Sequence, residues 1–189
     1  MTNEFNKITQ NRLVFSFNNQ WGQNYFLTYR INFLDEQSHY KGIKNDLNFG
    51  IRKGKTDTKG GFSYLNTESD FQNTRFVRGN IVSEYLGKKG TWAIGGSMEH
   101  NVKKLNLTQT LDATSFSWKE VFVQKKISDS TRTWLLGKLY IRDNDSVRNN
   151  RLENMNQILG VMAESNLIKT ENTTLSALVH YRKFFNHNS

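Results

Sequence analysis

Apolar and polar residues alternate with a period of two through most of the chain. In Tyr25-Phe26-Leu27-Thr28-Tyr29-Arg30-Ile31-Asn32-Phe33, one parity reads Tyr, Leu, Tyr, Ile, Phe and the other Phe, Thr, Arg, Asn. Successive strand side chains point to opposite faces, so this segment has one apolar and one mostly polar face. Leu47, Phe49 and Ile51 alternate with Asp46, Asn48, Gly50 and Arg52. Trp92, Ile94, Gly96 and Met98 alternate with Ala93, Gly95, Ser97 and Glu99, and Leu175, Ala177, Val179 and Tyr181 with Thr174, Ser176, Leu178, His180 and Arg182.

The pattern predicts ten strands, over 11–18, 24–35, 43–53, 60–67, 74–86, 91–102, 115–126, 132–142, 156–168 and 173–184. Gly, Asn, Asp and Ser gather between them, as in 53–61, 87–90, 128–130 and 142–150. The segment 103–114 reads equally as loop, short strand or short helix. The best helical stretch, Arg151 to Ile158, places Leu152, Met155 and Ile158 at i, i+3 and i+6, but it also fits a turn leading into the ninth strand. The openings Thr91-Trp92, Thr133-Trp134 and Thr174-Leu175 recur 42 and 41 residues apart. In an up-and-down meander that spacing gives strands of the same direction, though it is too loose for a solenoid or propeller. The expected fold class is therefore all-β: one antiparallel up-and-down meander of about ten long strands over residues 1–189, forming a barrel or a barrel segment.

Composition narrows the chemistry. The 189 residues include no cysteine and no proline, which excludes a disulfide framework, a thiol nucleophile and Cys-based metal sites. No apolar run approaches the roughly 20 residues of a spanning helix. The polar start, Met1 to Lys7, lacks a secretory leader, so the chain is expected to be cytoplasmic, a mature form or an internal piece.

Alternation alone does not say which solvent meets the apolar face. A soluble sandwich turns it inward, whereas a membrane barrel turns it to lipid and keeps a polar lumen. Four features favour lipid. The strands are long, where a transmembrane strand needs about 9–11 residues. Charges sit inside strands on the opposite parity: Arg30, Arg52, Arg78, Glu84, Glu99, Lys138, Arg142 and Arg182. Aromatics Trp21, Tyr25, Tyr85, Trp92, Trp134, Phe184 and Phe185 lie toward strand ends, as interfacial girdles do. Small residues Gly79, Gly96, Gly137 and Ala177 recur on the cleaner faces. Segment 115–126 points the other way: Trp118, Glu120, Phe122 and Gln124 on one parity, Lys119, Val121, Val123 and Lys125 on the other.

The segments Gly61-Phe62-Ser63-Tyr64-Leu65-Asn66-Thr67-Glu68 and Ala177-Leu178-Val179-His180-Tyr181-Arg182, with the polar tract 142–153, resemble repeated strands and hairpins of the very large outer-membrane β-barrel or β-sheet proteins of gliding-type, low-GC bacteria. The resemblance covers most of 40–185. It implies an outer-membrane location, lipid or lipopolysaccharide and other membrane or surface proteins as partners, and a place within a longer chain. It carries over no catalytic residue.

Nothing else marks catalysis. His39, His100, His180 and His187 lack metal-ligand spacing, and no glycine-rich loop precedes a helix. Asn106-Leu107-Thr108 and Asn172-Thr173-Thr174 match a glycosylation acceptor by composition alone. Net charge is +9, from 26 Lys+Arg against 17 Asp+Glu. The cations are dispersed and no aromatic RNA-binding motif accompanies them, so nucleic acid is not an expected partner. Candidate lumen-facing or ligand-contacting charges are Arg30, Arg52, Arg78, Glu99, Lys138 and Arg182. The expectation is an outer-membrane barrel or barrel segment with a structural, transport or surface-assembly role, without catalysis, cofactor or metal. The alternative is a periplasmic or extracellular β-barrel or sandwich that binds an acidic or carbohydrate ligand.

Overall fold

The computed structural model describes residues 10–36, 40–107, 110–129, 133–149, 151–169 and 174–186. Ten strands follow in order: β1 (Gln10–Trp21), β2 (Tyr25–Glu36), β3 (Tyr40–Lys53), β4 (Thr56–Ser69), β5 (Gln72–Gly87), β6 (Gly90–Leu107), β7 (Thr110–Asp129), β8 (Thr133–Arg148), β9 (Arg151–Lys169) and β10 (Thr174–Asn186). Each pairs antiparallel with the next, giving one ten-stranded sheet in sequence order. Among the described residues no pairing joins β1 to β10, so the sheet is open at both edges. Strands β6, β8 and β10 run the same way, as the 41–42-residue spacing predicts.

Several strands outrun their sequence-based limits. The connection read at 53–61 shrinks to Gly54-Lys55, with Lys53 paired to Thr56. Gly54 has φ +60°, a left-handed conformation that glycine adopts without a Cβ penalty. The ambiguous 103–114 divides between the ends of β6 and β7. The expected loop 142–150 mostly extends β8, and Arg151 to Ile158 is strand rather than helix. At the β8–β9 turn, Asn149 (φ +47°) accepts on Oδ1 from the Ala113 amide and donates its own amide to the Ala113 carbonyl, both at 2.8 Å. This ties the turn to β7.

The register sorts every strand into two faces. Trp21, Tyr25, Ile51, Thr58, Ser83, Ile94, Val123, Leu139, Val161 and Tyr181 form one paired row across all ten strands. Residues at even steps from this row share its face. That face carries most of the exposed large apolar side chains, with Ile94 at 66% and Val179 at 69% exposure. Among the described residues, the buried side chains Thr67, Ala93, Glu120, Tyr140, Ile158 and Asn166 all lie on the opposite, polar face. The sheet thus encloses its polar side and leaves its apolar side open, the reverse of a water-soluble core.

Candidate functional site: two faces of opposite polarity

All six candidate charges, and Glu84 and Arg142 with them, lie on the polar face. They do not converge on one point. Most are neutralised along the ladder. Arg78 Nη2 donates to Glu99 Oε2 at 2.8 Å, and the two residues are directly paired between β5 and β6. Arg52 Nη2 and Lys59 Nζ both reach Asp57 Oδ2 at 3.0 Å, beside the Gly54-Lys55 turn. Those two cations hold the Asp57 carboxyl below its ordinary value, Lys59 contributing most. Arg30 is paired across the ladder with Asp46. With Arg12 and Lys44 they line a shallow polar-face depression.

The densest cluster lies on β7 to β10. Glu120 is one-tenth exposed and bridges Lys138 Nζ at 2.7 Å and Arg142 Nε at 3.3 Å. Lys138 sits over Phe122 (4.3 Å) and Tyr140 (5.2 Å), and Arg142 over Trp118 (4.1 Å). A cation beside an aromatic face gains from the ring quadrupole, more when desolvated. Tyr140 Oη lies 2.7 Å from His180 Nε2, which also takes Arg182 Nε at 3.1 Å. This cluster explains the mixed parity of 115–126. Trp118 and Phe122 belong to the polar face because they support Arg142 and Lys138, while Val121 and Val123 carry the apolar face between Lys119 and Lys125. The sequence pointed to Lys138 and Arg142 as strand charges and to Arg182, but not to Glu120, which bridges the first two. A carboxylate flanked by Trp118 and Phe122 at alternate positions is the signal that could have found it.

The apolar face has an oblique border. Moving along each strand from the common row, this face first meets a strongly polar residue at Asp35 on β2, Asn45 on β3 (charge at Lys41), Asn66 on β4 (charge at Glu68), Arg75 on β5, His100 on β6, Lys119 on β7, Asp143 on β8, Gln157 on β9 and Lys183 on β10. On β6 charge itself first arrives at Lys104. Asp35 is ten residues beyond the row and Lys183 two, a fall of about one residue per strand, which at ~3.3 Å rise and ~4.8 Å separation is a tilt of about 35°. Strands of closed transmembrane barrels are tilted about 35–45°.

The other border carries aromatics at two turns, with Lys53 and Lys125 also on the same face. Trp21 pairs with Tyr25 beside one short turn, and Tyr85 with Trp92 beside another, all on the apolar face. Lys125 Nζ stands 4.7 Å over the Trp92 ring. Phe185 shares the apolar face but lies past Lys183 at the opposite border, and Trp134 and Phe184 do not belong to this girdle either. Both lie on the polar face, and Trp134 carries Lys126 Nζ over its ring at 5.2 Å. Gly79, Gly96, Gly137 and Ala177 are on the apolar face as expected. His39, His187, and Asn172 and Thr173 of one acceptor motif lie outside the described residues, as does Thr108 of the other.

The chain matches no known protein family, no curated protein and no solved structure. Its chemistry is therefore read from the two faces. Among the described residues no group of three His, Asp or Glu is placed to hold a metal ion. The polar face offers paired charges with aromatic support. The apolar face offers a band that runs from Tyr25 to Phe33 on β2, about 26 Å along the strand, and from Leu135 to Ile141 on β8, about 20 Å.

Proposed function

We propose that the chain is the wall of an outer-membrane β-barrel, with a structural, transport or surface-assembly role. The observation that carries this reading is the exposed apolar band with its oblique charged border. A band of this height across ten strands covers on the order of 1,000 Å², whereas soluble monomers rarely expose more than a few hundred in one patch. Lipid is the solvent that accepts such a surface. The tilt supports the same reading, because a border cut obliquely across hydrogen-bonded rows is what tilted strands make with a flat bilayer.

The polar face then faces the lumen. Its charges are neutralised in pairs, so it needs no bulk water at every position. The outer-membrane partners are lipid and the phosphates of lipopolysaccharide, for which the border cations Lys41, Arg75 and Lys119 are placed near headgroup level. The long polar ends of β6 to β9 project past the border as a ribbon suited to contact with other surface proteins.

The test is refolding of the full chain into phospholipid vesicles, followed by flotation and polarised infrared spectroscopy. The expected result is co-flotation with strands tilted about 35–45° from the membrane normal. A monodisperse β-protein that stays in buffer and leaves the vesicles bare would overturn the reading.

A further inference from the structure

The open edges of the sheet carry two halves of one seam. Strands alternate in direction and ten is even, so β1 and β10 run antiparallel. The charged border falls by about one residue per strand, so ten steps give a shift of about ten. That shift is even, and it brings the apolar parity of β10 against the apolar parity of β1. Levelling the border across the seam places Tyr181 opposite Asn11, hence Val179 opposite Leu13 and Leu178 opposite Val14. The last pair carries the argument independently. Val14 on β1, and Leu178 and Phe184 on β10, are large apolar side chains on the polar face, 45%, 62% and 57% exposed, and the levelled register pairs the first two. In this register they cover each other. A slip of two residues sets Leu178 against Arg12 or Ser16 instead.

We propose that β1 and β10 of the same chain close on each other in this register, making a ten-stranded barrel. The proposal rests on the lipid-facing reading above. Closure within one chain, rather than onto a second copy, is favoured by the size of the polar-face side chains. Eight strands leave an interior that side chains just fill, and ten leave one only slightly wider. Trp118, Phe122, Tyr140, Lys138 and Arg142 suit so narrow a lumen, and Tyr140 already reaches from β8 across to His180 on β10. The closed wall has no free edge for other chains to extend.

The chain has no cysteine, so introduced pairs report cleanly. Directly opposed residues of antiparallel strands lie about 4.5–5.5 Å apart between α-carbons, within disulfide range. The full chain, refolded in phospholipid vesicles, is oxidised as Val14→Cys/Leu178→Cys and as two slip controls, Val14→Cys/Ser176→Cys and Val14→Cys/His180→Cys. Leu13→Cys/Val179→Cys reads the same register from the other face. The expected result is an intramolecular disulfide in both in-register pairs, formed on the order of tenfold faster than in either control. Faster bridging in a slip pair, disulfides only between chains, or none in either in-register pair would overturn the proposal. Flotation of the same samples separates the two claims. Protein that floats without bridging overturns closure and leaves the lipid reading standing, whereas bridging in protein that does not float supports closure and overturns the lipid reading.

Discussion

The Tyr140 ring lies directly over Gly160, its partner across the β8–β9 ladder. A Cβ at Gly160 would collide with the Tyr140 ring. Phe122 covers Gly95 and Phe26 covers Gly50 in the same way on this face, each a directly opposed pair. An aromatic ring over a strand glycine recovers the packing the glycine lacks. Gly160→Ala is therefore expected to push Tyr140 off its site and away from His180, costing about 1–3 kcal/mol by overpacking. Tyr140→Phe keeps the ring and loses only the hydroxyl contact, about 1 kcal/mol. Urea unfolding of vesicle-refolded variants, followed by tryptophan fluorescence, measures both.

Glu120 holds two cations in a half-enclosed cluster. Glu120→Ala leaves Lys138 and Arg142 facing each other without their shared carboxylate, and about 2–3 kcal/mol of stability is expected to go. Asp57→Asn, in the exposed group with Arg52 and Lys59, is expected to cost no more than about 0.5 kcal/mol. Comparable urea midpoints for the two variants would contradict the division between an organised cluster and a solvated one.

Asp57 also has a pH signature. It lies beside the Gly54-Lys55 turn, past Ile51, the last apolar residue of β3, and its carboxyl is held low by hydrogen bonds from Lys59 and then Arg52. A carboxyl lowered in the folded state adds stability above its unfolded value of about 3.9, and that stability is lost as pH falls through the folded value. Lys59→Met is expected to move the Asp57 titration up toward about 3.9, read by carboxyl-carbon NMR.

The two faces respond oppositely to one new charge. Leu139→Arg, mid-band on the apolar face, is expected to cost about 2–4 kcal/mol in a bilayer. Asn80→Arg, exposed on the polar face, is expected to cost under about 1 kcal/mol. Equal costs in vesicle-refolded protein would mean that both faces meet the same solvent.

Much of this was legible in the alternation of residues such as Tyr25 to Phe33, because strand parity is local and needs no tertiary knowledge. The number, order and direction of the strands followed from it. Strand ends were less legible. Thr56 to Lys59 and Arg142 to Arg148 read as turns because they are polar, yet ladder hydrogen bonds to equally long neighbours hold them extended. Gly60, read as turn chemistry, is a strand residue packed under Phe49. The aromatic pattern misled at Trp134 and Phe184, since position near a strand end does not fix the face. Register did that, and register depends on which residue opposes which.

The most direct test of the central claim is solvent accessibility along β2. Single cysteines replace each residue from Leu27 to Asn32 in turn, carry a nitroxide label, and are read in vesicles by collision with oxygen and with a water-soluble nickel chelate. Oxygen is expected to dominate at positions 27, 29 and 31 and the chelate at 28, 30 and 32. Chelate access at every position, without alternation, would contradict it and turn attention to a soluble module whose cationic depression at Arg12, Arg30 and Lys44 binds an acidic ligand.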